Sequence, residues 1–150
     1  MPNAAQRAEG YAESKQRRLE ALIGAGAVSA FADALRFVNA VRALGFPIAV
    51  ASSSRNANEM MWRIRLDDQH SLFDVFGANV CGRDLPAGKP DPAIFLLAAA
   101  ELPAAAEKCF VVEDAPAGIE AARAGGMTAL VGSRGWMMRR RSGRQEPIWS

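Results

Sequence analysis

The chain is expected to adopt an α/β fold on an open, mostly parallel sheet, and three observations lead there. Short apolar runs at 46–52, 78–82, 108–113 and 127–132 alternate with helix-length segments, the pattern of strands joined by crossover helices. Several of these runs are bounded by Pro, Gly or Ser, as buried parallel strands are. With 150 residues, 50% hydrophobic and 23% charged, the chain has the size and make-up of one globular domain with room for a core.

Residues 4–23 read as one helix, with Tyr11, Leu19, Leu22 and Ile23 on one face and Lys15, Arg17 and Arg18 around it. GAGAVSA breaks it. A second helix runs from about Ala32 to Leu44, where Phe31, Leu35, Val38, Val41 and Leu44 recur near helical spacing and Gly45 closes it. FPIAVAS (46–52) is a short buried strand, SSSRNAN a loop, and 57–66 a helix. The stretch 67–77 carries no clear period. ANVCG (78–82) reads as a strand and LPAGKPDP as a loop. Pro92 suits the first turn of a helix reaching about Glu101. KCFVVE is the next strand. APAGIEAARAGG is a helix with Pro116 near its start and Gly125-Gly126 past its end, and MTALVG is the last strand.

The net charge of +2 is unevenly spread. Residues 133–150 hold Arg134, Arg139, Arg140, Arg141 and Arg144 against Glu146, so the body is mildly acidic and the tail basic. By charge this is not a nucleic-acid-binding domain, and the tail reads as solvated, disordered charge. Cys81 and Cys109 form neither C-x-x-C nor a metal-ligand spacing, which suits a reduced, cytoplasmic setting. The N-terminus has no apolar core of a signal peptide, and the longest apolar run, AIFLLAAA, is too short to span a membrane.

In open parallel sheets, ligands bind beyond the carboxyl ends of the strands. Three polar segments stand there. Ser52, Ser53 and Ser54 leave a strand and open a helix, so hydroxyls and free helix N–H groups together make an anion site; Arg55 adds fixed positive charge. The plain alternative is a serine-rich turn with a helix cap. Lys89, between Gly88 and Pro90, is placed to neutralise a phosphate or a carboxylate, or is a surface lysine. Glu113 and Asp114 offer hard oxygen ligands suited to Mg²⁺, or simply an acid pair at a helix N-terminus. Taken together, the three segments favour metal-assisted phosphoryl transfer. His70, the single histidine, is given a structural role.

IAVASSSRNA, GKPDPAIF and VVEDAPAGIEAARAGG resemble, in this order, the second, third and fourth motifs of the haloacid dehalogenase-like hydrolase superfamily, within it the β-phosphoglucomutase-like group. The resemblance covers about 30–132 and implies a Rossmann-like three-layer core. It implies that Ser52 binds the transferring phosphoryl group, and that Ser54, Arg55 and Asn56, beside Ser53, hold the other end of a sugar phosphate. Lys89 then stabilises the phosphorylated nucleophile, and Glu113 and Asp114 help hold Mg²⁺. Residues 1–28 are similar to the closing helix and linker of a cap, 29–132 form the core, and 133–150 are the tail.

The family's first motif, Asp-x-Asp-Gly, supplies its aspartyl nucleophile, and no Asp-x-Asp occurs here. The resemblance therefore implies a truncated chain without the central first strand and most of the helical cap. A parallel sheet lacking its central strand divides into halves with unpaired inner edges, so marginal stability or self-association is expected. Three functions compete. One is a β-phosphoglucomutase-like protein, interconverting hexose 1- and 6-phosphates through an aspartyl-phosphate but inactive or impaired here. The second is a phosphatase of a small phosphorylated metabolite. The third is a non-catalytic phosphate-binding module.

Overall fold

The structure, a computed structural model, describes residues 4–132; the basic tail lies outside them. Eleven segments follow in order: α1 (Ala4–Gly24), α2 (Ala32–Ala43), β1 (Ala49–Val50), α3 (Ala57–Arg63), a 3₁₀ turn (Leu72–Val75), β2 (Ala78–Asn79), α4 (Ala93–Glu101), a 3₁₀ turn (Ala106–Lys108), β3 (Phe110–Glu113), α5 (Pro116–Ala124) and β4 (Thr128–Val131).

The elements are those expected, with shorter strands and three local corrections. On α1 only Ile23 of the anticipated apolar face is buried, while Tyr11 is 73% exposed and Leu22 is exposed as well. The helix meets the remainder of the described chain near its C-terminal end, where Arg63 donates to the Gly24 carbonyl at 3.4 Å. Leu19 is half-buried there, and Tyr11, further back along the helix, is not covered by the described residues. On α2 the stripe of Leu35, Val38 and Val41 is half-buried, with Phe31, Phe37 and Leu44 exposed.

Helix α3 ends at Arg63 and not at 66, because Ile64 turns extended and its carbonyl accepts from Leu72 at 2.8 Å. Arg65 then bridges Ser71 in antiparallel fashion, and Trp62 packs against Phe73 in a tilted contact with ring centroids 4.8 Å apart. This resolves the unassigned stretch as a tight return. Asp67 organises its tip by accepting from the Gln69 and His70 amides at 2.8 and 2.7 Å, with the His70 ring 3.0 Å away. The strand expected over 108–113 begins two residues late, at Phe110, because Ala106–Lys108 coils before it. At α4, Asp91 caps the Ala93 amide at 2.9 Å and Pro92 occupies the N-cap.

Both strand pairs are parallel. Ala49 and Val50 stand opposite Ala78 and Asn79, and Phe110 through Glu113 stand opposite Thr128 through Val131. Among the described residues the two pairs remain separate sheets, as expected for a sheet divided at its centre. What unites them is the layer beneath. Helix α4 lies on β1 and β2, α5 lies on β3 and β4, and the two helices touch. Val80, Ile94, Phe95, Ala98, Ala121 and Ala122 bury into one cluster, with Ala49 and Val111 packed against it. Small side chains on α4 and α5 let the helices approach closely, so one core serves both halves. No helix of the described residues is long and apolar enough to cross a membrane.

Candidate functional site

The loop after β1 is wound by its own hydroxyls. Ser52 Oγ accepts from the Ser54 amide at 3.1 Å, and Ser54 Oγ accepts from the Asn56 amide at 3.2 Å. Serine hydroxyls compete well for nearby backbone donors in this way. Asn56 sits at the N-cap of α3 without a side-chain cap. The loop after β2 packs on this first loop. Gly82, at φ +65°, donates its amide to the Ser52 carbonyl at 2.9 Å, and a side chain there would press on Arg55 Cα at 3.3 Å. Asn79 fastens the same turn, donating to Asn58 and accepting from the Cys81 amide, both at 2.9 Å. Cys81 is buried, and burial pushes its thiol above the ordinary value despite a hydrogen bond with Ser52.

Between the two loops lies a cavity of about 190 Å³, lined among others by Ser53, Arg55, Arg83, Asp84 and Lys89. Arg83 is also held by Glu101, 2.9 Å away. Sequence reasoning named Ser53, Arg55 and Lys89 but passed over Arg83. Its signal was available: it follows the run that becomes β2, the kind of position that singled out Ser52.

Lys89 is the hinge of the arrangement. Its Nζ donates to Glu113 Oε2 at 2.8 Å, and the two side chains are only 23% and 13% exposed. The Phe95 ring lies 6.0 Å beneath the ammonium, at the outer reach of a cation–π contact. Glu113 ends β3, and its Oε1 accepts from the Asp114 and Ala115 amides, each at 3.2 Å, at the start of α5. Partial burial disfavours the charged carboxylate. The Lys89 hydrogen bond, the two amides and the Lys89 charge outweigh it, so Glu113 titrates below its ordinary value.

The structure thus gathers Ser53, Arg55 and Lys89 around one cavity and ties Lys89 to Glu113, with Asp114 next in the chain. Ser52, Ser54 and Asn56 shape the loop through backbone hydrogen bonds. Among the described residues no three acids, histidines or cysteines cluster as a metal site. The donor chemistry of Glu113 and Asp114 nevertheless suits Mg²⁺, which accepts one or two carboxylates and completes its shell with water and phosphate oxygens. Glu113 would have to share its carboxylate with Lys89.

A second residue missed is Gly118. It is buried in the first turn of α5, and the three atoms nearest a Cβ built there all belong to the Glu113 side chain, inside contact distance. Only its spacing of five residues from Glu113 marked it.

A family model of haloacid dehalogenase-like hydrolases matches residues 2–126. Over 84 residues the chain is 44% identical to a β-phosphoglucomutase of Bacillus subtilis, covering 55% of this chain and 34% of that protein. It is 37% identical to a phosphorylated carbohydrates phosphatase of Thermotoga maritima, over 67% of this chain and 43% of that one. In fold it is similar to CbbY of Rhodobacter sphaeroides, solved in complex with phosphate, at a TM-score of 0.70 and 24% identity; 95% of this chain and 62% of that chain superpose. The chain spans a third to a half of the length of the first curated relatives it matches. The chain belongs to the haloacid dehalogenase-like hydrolase family, whose members similar to it include phosphatases and phosphomutases.

Proposed function

We propose that this chain carries the phosphate-binding half of a site for phosphoryl transfer on a sugar phosphate, of the β-phosphoglucomutase kind. One observation carries the reading: Lys89 lines the cavity with Ser53 and Arg55 and at the same time pairs with Glu113. A phosphoryl group there would meet the half-buried Lys89 ammonium and the exposed Arg55 guanidinium, two positive charges suited to offset its own. Ser52, Ser53, Ser54, Arg55 and Asn56 bind and orient the ester. Glu113 and Asp114 hold Mg²⁺, which supplies charge neutralisation when bound. Transfer by an aspartyl-phosphate needs a nucleophile, and no Asp-x-Asp occurs in this sequence. The 150-residue chain therefore binds the ester without turning it over. A reduced, cytoplasmic setting belongs to the same reading, supported by two free cysteines.

The test is ³¹P NMR of the chain with Mg²⁺ and hexose 1- and 6-phosphates. Shifted or broadened resonances without product, restored to their free positions by Lys89→Met, are expected. An unchanged spectrum with the wild-type chain, or an equal response from the Lys89→Met chain, overturns the reading. The likeness to the Thermotoga maritima phosphatase supports a second one, hydrolysis of the same esters. Supplying an Asp-x-Asp segment to the chain and following release of inorganic phosphate against formation of isomer separates the two.

A further inference from the structure

Gly118 stands where its own helix would not choose it. Glycine in a helix gives up more backbone entropy than alanine, and alanine is the better helix former. Yet Gly118 is buried in the first turn of α5, and the Glu113 side chain lies over it so closely that any Cβ would overlap the glutamate's Cγ, Cδ and Oε2. The same carboxylate accepts from the Asp114 and Ala115 amides through Oε1 and from Lys89 Nζ through Oε2.

We propose that Gly118 is a positioning residue: its missing side chain is the seat in which the Glu113 carboxylate lies, and through that seat it fixes Lys89. The geometry leaves little alternative. Glu113 ends β3 and must fold back over α5 to reach two amides of the strand-to-helix turn on one side and Lys89 on the other. The space it uses is the space a Cβ at 118 would fill. Any larger residue evicts the carboxylate, and Lys89 then loses the partner that holds its ammonium at the cavity. That Lys89 acts on a phosphoryl group rests on the function proposed above; the seat itself does not.

The test compares the full chain with Gly118→Ala, Glu113→Ala and the double variant, by backbone amide NMR and urea unfolding. In Gly118→Ala the Asp114 and Ala115 amide resonances move and the unfolding midpoint falls, against the helix preference for alanine. In the Glu113→Ala background the same change leaves the midpoint level or raises it. A Gly118→Ala chain at or above the wild-type midpoint with unmoved amides overturns the seat, as does a fall that persists without Glu113. If Gly118→Ala alone does not fold, the double variant decides: a folded double supports the seat, and an unfolded one overturns it. Titration with inorganic phosphate is read separately. Absence of phosphate binding to the wild-type chain counts against the phosphoryl reading alone, because the amide and unfolding results stand without it.

Discussion

Lys89 and Glu113 hold two loops together with one short, mostly buried ion pair, and its partial burial decides what that pair contributes. Exposed pairs are worth about 1 kcal/mol or less, and removing one partner of a fully buried pair costs about 3–5 kcal/mol. Lys89→Met, which strands the Glu113 carboxylate, should lower stability by about 2 kcal/mol, and adding Glu113→Gln should recover part of it. Urea midpoints of the three chains check this. The pH dependence follows from the lowered titration of Glu113, for which partial burial is outweighed by Lys89 and the two amides. A carboxyl depressed in the folded state contributes stability that is fully present above its unfolded value and is lost as pH falls through the folded value. Wild type and Glu113→Gln should therefore differ at neutral pH and converge in acid. A gap that persists unchanged to low pH would place the effect elsewhere. Gly82 is a second exposed point of control. At φ +65° and against Arg55 Cα, Gly82→Ala should cost about 1–2 kcal/mol from left-handed strain alone, and weaken any ester binding that depends on Arg55. Glu113 was legible in sequence because a charged residue closing an apolar run stands out, and Lys89 because Gly88 and Pro90 flank it. Gly118 was not, because its role is an absence of atoms beneath a neighbour's side chain.

The helices and strands show where local pattern suffices and where it stops. Pro116 opening α5 and the stripe on α2 follow from propensity and period, and they are where the sequence places them. Strand ends depend on partners far along the chain. FPIAVAS reads as seven strand residues, yet only Ala49–Val50 pair as strand, because β2 offers two residues and ladder bonds beyond them continue singly, from Gly77 to Ile48 and from Gly82 to Ser52. The return between α3 and β2 was illegible for another reason. Its order comes from side-chain hydrogen bonds, which hydrophobic period cannot report. Ser71 is buried and donates both its amide and its hydroxyl to Asp74 Oδ2, at 2.7 and 2.8 Å. That arrangement terminates the bridge with Arg65 and starts the turn that carries Phe73 onto Trp62. Ser71→Ala should cost about 1 kcal/mol, as loss of a capping residue does, with a drop in the near-ultraviolet signal of Trp62. An unchanged unfolding midpoint would mean that the Trp62–Phe73 contact sets the return by itself.

Considered as one body, the described chain has a shared core beneath two sheets that do not join. β1 and β3 each pair on one side only, so each presents a row of backbone donors and acceptors with no strand of the described residues alongside. The opposite face of the second sheet is apolar and uncovered: Phe110 is 43% and Val112 51% exposed, with Leu130 beside them. Unpaired edges and exposed apolar faces are the two features by which chains associate. Water can satisfy the edge, but it cannot cover Phe110 and Val112, so association removes apolar surface at about 25 cal/mol per Å². The purified chain is therefore expected to self-associate as concentration rises, with a weighted-average mass by sedimentation above that of one 16.0 kDa chain. Adding charge to the exposed face tests the cause. Val112→Lys places a charge on that face without touching the core beneath α5, and should shift the association to higher concentration by about tenfold for each ~1.4 kcal/mol of lost contact. If the mass stays at one chain over the whole range, the edges are satisfied without a second copy. If association is present but indifferent to Val112→Lys, it proceeds through another surface, and α2 with its exposed Phe37 and Leu44 becomes the place to put the next charge.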